Sequence, residues 1–234
     1  MLSLFAQSEL SDLVEKVEKG ERLDFKAGVR MMNSQDILAL GYMANLVRER
    51  KNGNKTYFMV NNPLNYTNFS TDRTNATMLY GDIETTEERI DHLILLRAIQ
   101  ERTAGFLTFS PLPVVPENTE VEGTMGVGST TGIEDLKILA VSRILLDNFD
   151  HIKAFWIMLG PKLAQVSLAF GVDDLDGTVV EERAAGTEAS HVMSKRALIH
   201  MIQKAGRDAV ERDTLYRVRG QKTEARDLKG NTTI

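Results

Sequence analysis

From Met78 to Val180 short β-rich runs alternate with helical periods, and few architectures accept that order. A strand is expected near Met78–Tyr80, a helix from about Thr86 to Thr103 and a strand near Phe106–Phe109. After a long loop, Ile133, Leu136, Ala140, Val141, Ile144 and Leu145 mark one helix face, "HIKAFWIML" reads as a buried strand, and Leu163, Val166 and Phe170 mark another helix. "LDGTVV" reads as a further strand, and Leu198, Met201, Ile202 and Ala205 as the last helix. Strands separated by helices pair in parallel through right-handed crossovers, so the class is α/β, either a barrel or an open sheet. The strands expected near 56, 78, 107, 154 and 178 number about five, short of the eight that close a TIM barrel. An incomplete barrel has an open edge, which leads to the expectation of a homo-oligomer.

The chain begins differently. Leu10, Leu13, Val14 and Val17 give one helix ended by Gly20, and Ile37, Leu40, Ala44 and Val47 give a second, with Ser34 as N-cap and Gly53 after its end. The run "KTYFMV" at 55–60 is β-rich. This divides the chain into helices over 1–50, an incomplete β/α barrel over 51–215 and a polar, mobile tail over 216–234. One joint does not fit: "NNPLNYTNFSTDRTNA" has no helical period and is short for a parallel crossover. Either the strands on its two sides are not sheet neighbours, or a segment has been removed between them.

Composition removes several functions. With 234 residues, 42% hydrophobic, the chain can build one sizeable core, and a net charge of -5 without a basic patch argues against nucleic acid. No apolar run is long enough to span a bilayer and no positive n-region opens the chain, so a cytoplasmic location away from membranes is expected. The chain has no cysteine, which excludes disulfides, thiolate zinc sites and all-cysteine iron–sulfur clusters.

Several stretches carry a resemblance. "NYTNFS" at 65–70 resembles the start of the cluster loop in radical S-adenosylmethionine enzymes of menaquinone and deazaflavin synthesis. "TNATMLYGDIETTEERIDHLILLRAIQERTAGF", "PENT", "TTGIEDLKILAVSRILLDNFDHIKAFWIMLGPKLAQVSLAFGVDDLDGTVVEE" and "ERDTLY" resemble aminofutalosine synthases in particular, over most of positions 21–216. The resemblance implies a TIM-like barrel whose CxxxCxxC motif holds a four-iron, four-sulfur cluster. That cluster cleaves S-adenosylmethionine, and the adenosyl radical adds to an enolpyruvyl ether of benzoate. Here Ser70 stands at the first cysteine's place, and Thr74 and Thr77 fall at the other two spacings. Hydroxyls are hard and neutral where a cluster needs soft thiolates, so no cofactor is expected and the parent reaction is expected to be lost. Because "TNATMLYG" resembles a segment lying further along the family's barrel, an internal deletion accounts for the joint. Asp82 stands where the family usually has His, and Val115 stands near another usual His before "PENT".

The remaining candidates carry less chemistry. Asn65, Thr67 and Asn68 are candidate ligand contacts, although Asn and Thr also serve turns. "GTMGVGSTTG" at 123–132 lacks the lysine and spacing of a P-loop and reads as a flexible loop. His92, His151, His191 and His200 show no paired ligand spacing, Trp156 and Met158 read as core or barrel lining, and Glu181 and Glu182 as a solvated pair. The alternative to a lost enzyme is a non-catalytic module that binds a nucleoside or small aromatic acid, or that oligomerises.

Overall fold

The computed structural model describes residues 4–60, 74–114, 130–181 and 192–219. Three helices come first: α1 (Ser11–Glu18), α2 (Phe25–Asn33) and α3 (Ile37–Asn52). The apolar face expected of α1 is met, with Leu13, Val14 and Val17 buried. Helix α2 was not foreseen, because its buried face is built partly from Ala27 and Gly28 rather than a large apolar stripe. The small residue has a packing reason: a Cβ on Gly28 would sit 2.8 Å from Ile90 and 2.9 Å from Leu145. The cap of α3 is Asp36, whose carboxylate accepts from the Ala39 amide at 2.9 Å. Ser34, the expected N-cap, lies two residues too early and instead ends α2.

The strands and remaining helices follow as β1 (Lys55–Phe58), β2 (Thr74–Tyr80), α4 (Thr86–Thr103), β3 (Phe106–Pro113) and α5 (Gly132–Leu145), then β4 (His151–Phe155), α6 (Trp156–Leu159) and α7 (Pro161–Ser167). The chain continues through β5 (Asp174–Asp176), β6 (Thr178–Val180), β7 (Val192–Ser194), α8 (Lys195–Lys204) and β8 (Asp208–Glu211). Helix α4 has the bounds its period implied, since Thr85 and Glu88 form a reciprocal capping box at its start.

Two expected strands are shorter than the sequence suggested. "HIKAFWIML" stays extended only to Phe155, after which Trp156–Leu159 turns as a short helix before Gly160 at φ 77°. "LDGTVV" is cut at Gly177, whose φ of 151° ends β5 and sends β6 into a separate two-stranded sheet with β7. Strand β8 was missed because "DAVE" has little apolar signal.

The main sheet has six strands in the order β2-β3-β4-β5-β1-β8, and its neighbours all pair in parallel. It forms a partial TIM-like barrel preceded by helices. The difficult joint is resolved by this order: β1 lies between β5 and β8, with β5, β4 and β3 separating it from β2. The strands flanking 61–73 are therefore not neighbours.

Alternation along each strand separates two faces. Phe58, Met78, Tyr80, Phe109, Ile152, Ala154 and Leu175 are buried in a core that also contains residues of α1, α2, α3 and α5. On β1, β4 and β5 the intervening residues include Tyr57, His151, Lys153, Asp174 and Asp176, which lie on the other face. Among the described residues no helix is long and apolar enough to cross a membrane.

Candidate ligand site on the inner face of the sheet

Burying charge is costly unless each charge is paired, and the buried charges here are paired in two tiers. The lower tier gathers on the residues that begin β4 and β5. Asp173, fully buried, accepts from the Ile152 amide at 2.8 Å, pairs with Arg143 and holds His151 Nδ1 at 2.6 Å. That contact fixes the orientation of the imidazole ring. The imidazole stacks on Tyr216 at 3.8 Å between centroids and meets the edge of Tyr57 at 5.0 Å.

Asp174 is also fully buried and takes Arg212 at 2.7 Å through Nε, while the guanidinium lies 4.1 Å over the Tyr216 ring. Burial works against the charge on Arg212, yet Asp174, with Tyr216 and Asp176, outweighs it and raises its pKa. Arg143 shifts the other way, because complete burial outweighs Asp173. Burial, aided by Asp173 and Asp174, also raises the pKa of Tyr57. Tyr216 begins the stretch expected to be a tail, and it closes this tier while residues 220–234 lie outside the described ones.

The upper tier is closer to the carboxyl ends of the strands, where βα folds place their chemistry. Lys153, 7% exposed, reaches Asp176 at 2.8 Å from the neighbouring strand. Burial disfavours the carboxylate of Asp176, but Lys153, with help from Arg212 and the Gly177 amide, outweighs it and the pKa is lowered. The other oxygen of Asp176 accepts from the Gly177 amide at 2.9 Å. Above that turn sits the Trp156 indole, so close that a Cβ on Gly177 would lie 2.3 Å from Nε1.

The candidates taken from the sequence fall elsewhere. Asn65, Thr67, Asn68 and Ser70 lie outside the described residues, as do Val115, Glu182 and His191. Thr74 and Thr77 belong to β2, in register with Phe106 and Ser110, and Thr77 is exposed. Glu181 pairs with Lys195 at 3.3 Å and lines a cleft of about 340 Å³ with Arg196, Ile199, His200 and Gln203. Trp156 is buried, as expected.

Among the described residues no group of His, Cys, Asp or Glu converges as a metal site. The chain offers no thiolate and places Thr74 and Thr77 in a paired strand, so this donor set does not fit an iron–sulfur cluster. The polar inner row was missed in the sequence although it left a trace. His151 and Lys153 alternate within an otherwise apolar strand, and the acidic "DDLD" follows two short helices later.

A parallel β/α barrel segment with charged pairs on its inner face defines the class of protein. The chain belongs to the family described as the CofH/MqnC C-terminal region, which matches residues 103–228, more than half of it. It is 52% identical over 148 residues to the aminodeoxyfutalosine synthase of Thermus thermophilus. It is 50% identical over 151 residues to a 5-amino-6-(D-ribitylamino)uracil–L-tyrosine 4-hydroxyphenyl transferase of Methanosarcina acetivorans. Each match covers 62% of this chain and 40% of the relative, so the chain spans well under half of the relatives' length. The FeFe-hydrogenase maturase HydG of Carboxydothermus hydrogenoformans shares the fold with a TM-score of 0.60 at 12% identity, over 92% of this chain and 82% of that one. The resemblance to aminofutalosine synthases read from the residues is thus met.

Proposed function

We propose that this protein is an aminodeoxyfutalosine-synthase-like barrel that binds a small molecule on its inner face and does not itself cleave S-adenosylmethionine. The observation that carries the reading is the combination of paired, buried Lys153 and Asp176 with a sequence lacking any cysteine. Burial of such a pair costs desolvation that an apolar pair avoids, so its presence favours a role in ligand contact over stability. The relatives' names supply the ligand class: a futalosine-type nucleoside, or an aromatic compound such as L-tyrosine. Without thiolates there is no route for an electron from a cluster into the cofactor. Purified protein supplied with iron, sulfide and a strong reductant under anaerobic conditions is therefore expected to release no 5'-deoxyadenosine from S-adenosylmethionine above a no-protein control. Release above that control overturns the reading.

Self-association is a second reading, favoured by the edge of the sheet. Among the described residues strand β2 bonds only to β3, and Leu79 and Ile83 beside that edge are 67% and 92% exposed.

A further inference from the structure

We infer that the Lys153 ammonium and the Trp156 indole N–H together form a subsite for the carboxylate of a small-molecule ligand. The inference rests on the reading of the inner face as a ligand site and names the group recognised there. Trp156 is 2% exposed, and its Nε1 donor has no acceptor among the described residues. A buried donor without an acceptor is a costly exception that calls for a missing partner. Lys153 carries three N–H donors, of which Asp176 takes one at 2.8 Å. Asp176 is committed, with one oxygen on Lys153 and the other on the Gly177 amide at 2.9 Å.

The two donors flank one short piece of chain. Lys153 touches the carboxylate of Asp176, and Trp156 Nε1 overlies Gly177, the next residue. Glycine at that position is what lets the indole approach, since any Cβ would fall 2.3 Å from Nε1. What such a pair of donors accepts is an oxygen-rich, electron-rich group. Lys153 and Asp176 cancel in charge, so every negative charge on the ligand meets the repulsion of the Asp176 carboxylate, once for a monoanion and twice for a dianion. That disfavours a phosphate dianion and favours a carboxylate, whose two oxygens accept from the ammonium and the indole separately.

The test uses the full chain, which contains a single tryptophan and so gives one indole N–H resonance when labelled with ¹⁵N. Acetate and benzoate are titrated at constant ionic strength, with acetamide and benzamide as uncharged counterparts and chloride as control. The resonance is expected to move downfield and saturate with the carboxylates, and to respond at least about ten-fold more weakly to the amides. The double variant Lys153→Met with Asp176→Asn removes the pair without stranding either charge, and is expected to lose the saturable shift. Absence of a saturable shift with the carboxylates, or its survival in that variant, overturns the inference. Equal response to amides also overturns it while leaving the inner face a ligand site, and silence towards all four probes removes that broader reading too. The comparison of acids with amides stands on the wild-type protein alone, whether or not the variant folds.

Discussion

Arg212 and Asp174 hold each other in a place where neither can be left alone. The pair is buried, the guanidinium covers Tyr216, and Tyr216 in turn covers His151. Arg212→Met leaves the Asp174 carboxylate without its cation, and a loss of about 3–5 kcal/mol is expected in urea unfolding, whereas removing both charges together costs much less. Asp176 gives a second measurement at this scale. Burial opposes its charge, Lys153 with Arg212 and the Gly177 amide overcomes that, and the folded carboxyl is left more acidic than the unfolded one. Its contribution to stability is therefore present above the ordinary aspartate range and is lost as pH falls through the lowered folded value. Urea midpoints followed from about pH 6 to about pH 3 are expected to fall less steeply in Lys153→Met than in wild type, because the variant has already lost what acid removes. Equal slopes would show that Lys153 does not set that acidity.

Gly177 is where one strand becomes two. Its φ of 151° and the indole resting on it allow β5 to stay in the main sheet while β6 leaves for the small one. Gly177→Ala is expected to destabilise the fold by about 1–3 kcal/mol and to shift Trp156 fluorescence, as read by chemical unfolding and emission spectra. An unchanged emission maximum would mean that the indole does not depend on this turn. The same site explains how far the elements could be read in the sequence. Helices α4 and α5 announce themselves by apolar period and by Thr85 and Thr131 at their starts. Strand β8 is a polar sequence made extended by its neighbour β1, and the break at Gly177 depends on a tryptophan twenty-one positions earlier. Pairings across the chain decide these elements, and no local window contains them. The candidate site was obscured for the same reason: His151, Asp173, Arg212 and Tyr216 come together only through the sheet order.

Among the described residues the six-stranded sheet ends at β2, which pairs with β3, and at β8, whose outer side takes a bond from the Arg219 amide to the Glu211 carbonyl. The proposed self-association predicts a mass near twice the 26.1 kDa of the chain in light scattering coupled to size exclusion, falling on dilution. A concentration-independent monomer that unfolds cooperatively and leaves a hydrophobic dye unbound would rule it out. The position of β1 reaches further than the edges do. Its hydrogen-bonding neighbours, residues 174–176 and 208–211, leave the ribosome long after residues 55–58 have emerged. At ordinary rates of synthesis that interval lasts on the order of ten seconds, during which the nascent strand has neither partner. Closing such distant pairs makes folding slow and late, so the half-made chain is the form most exposed to chaperones and proteases.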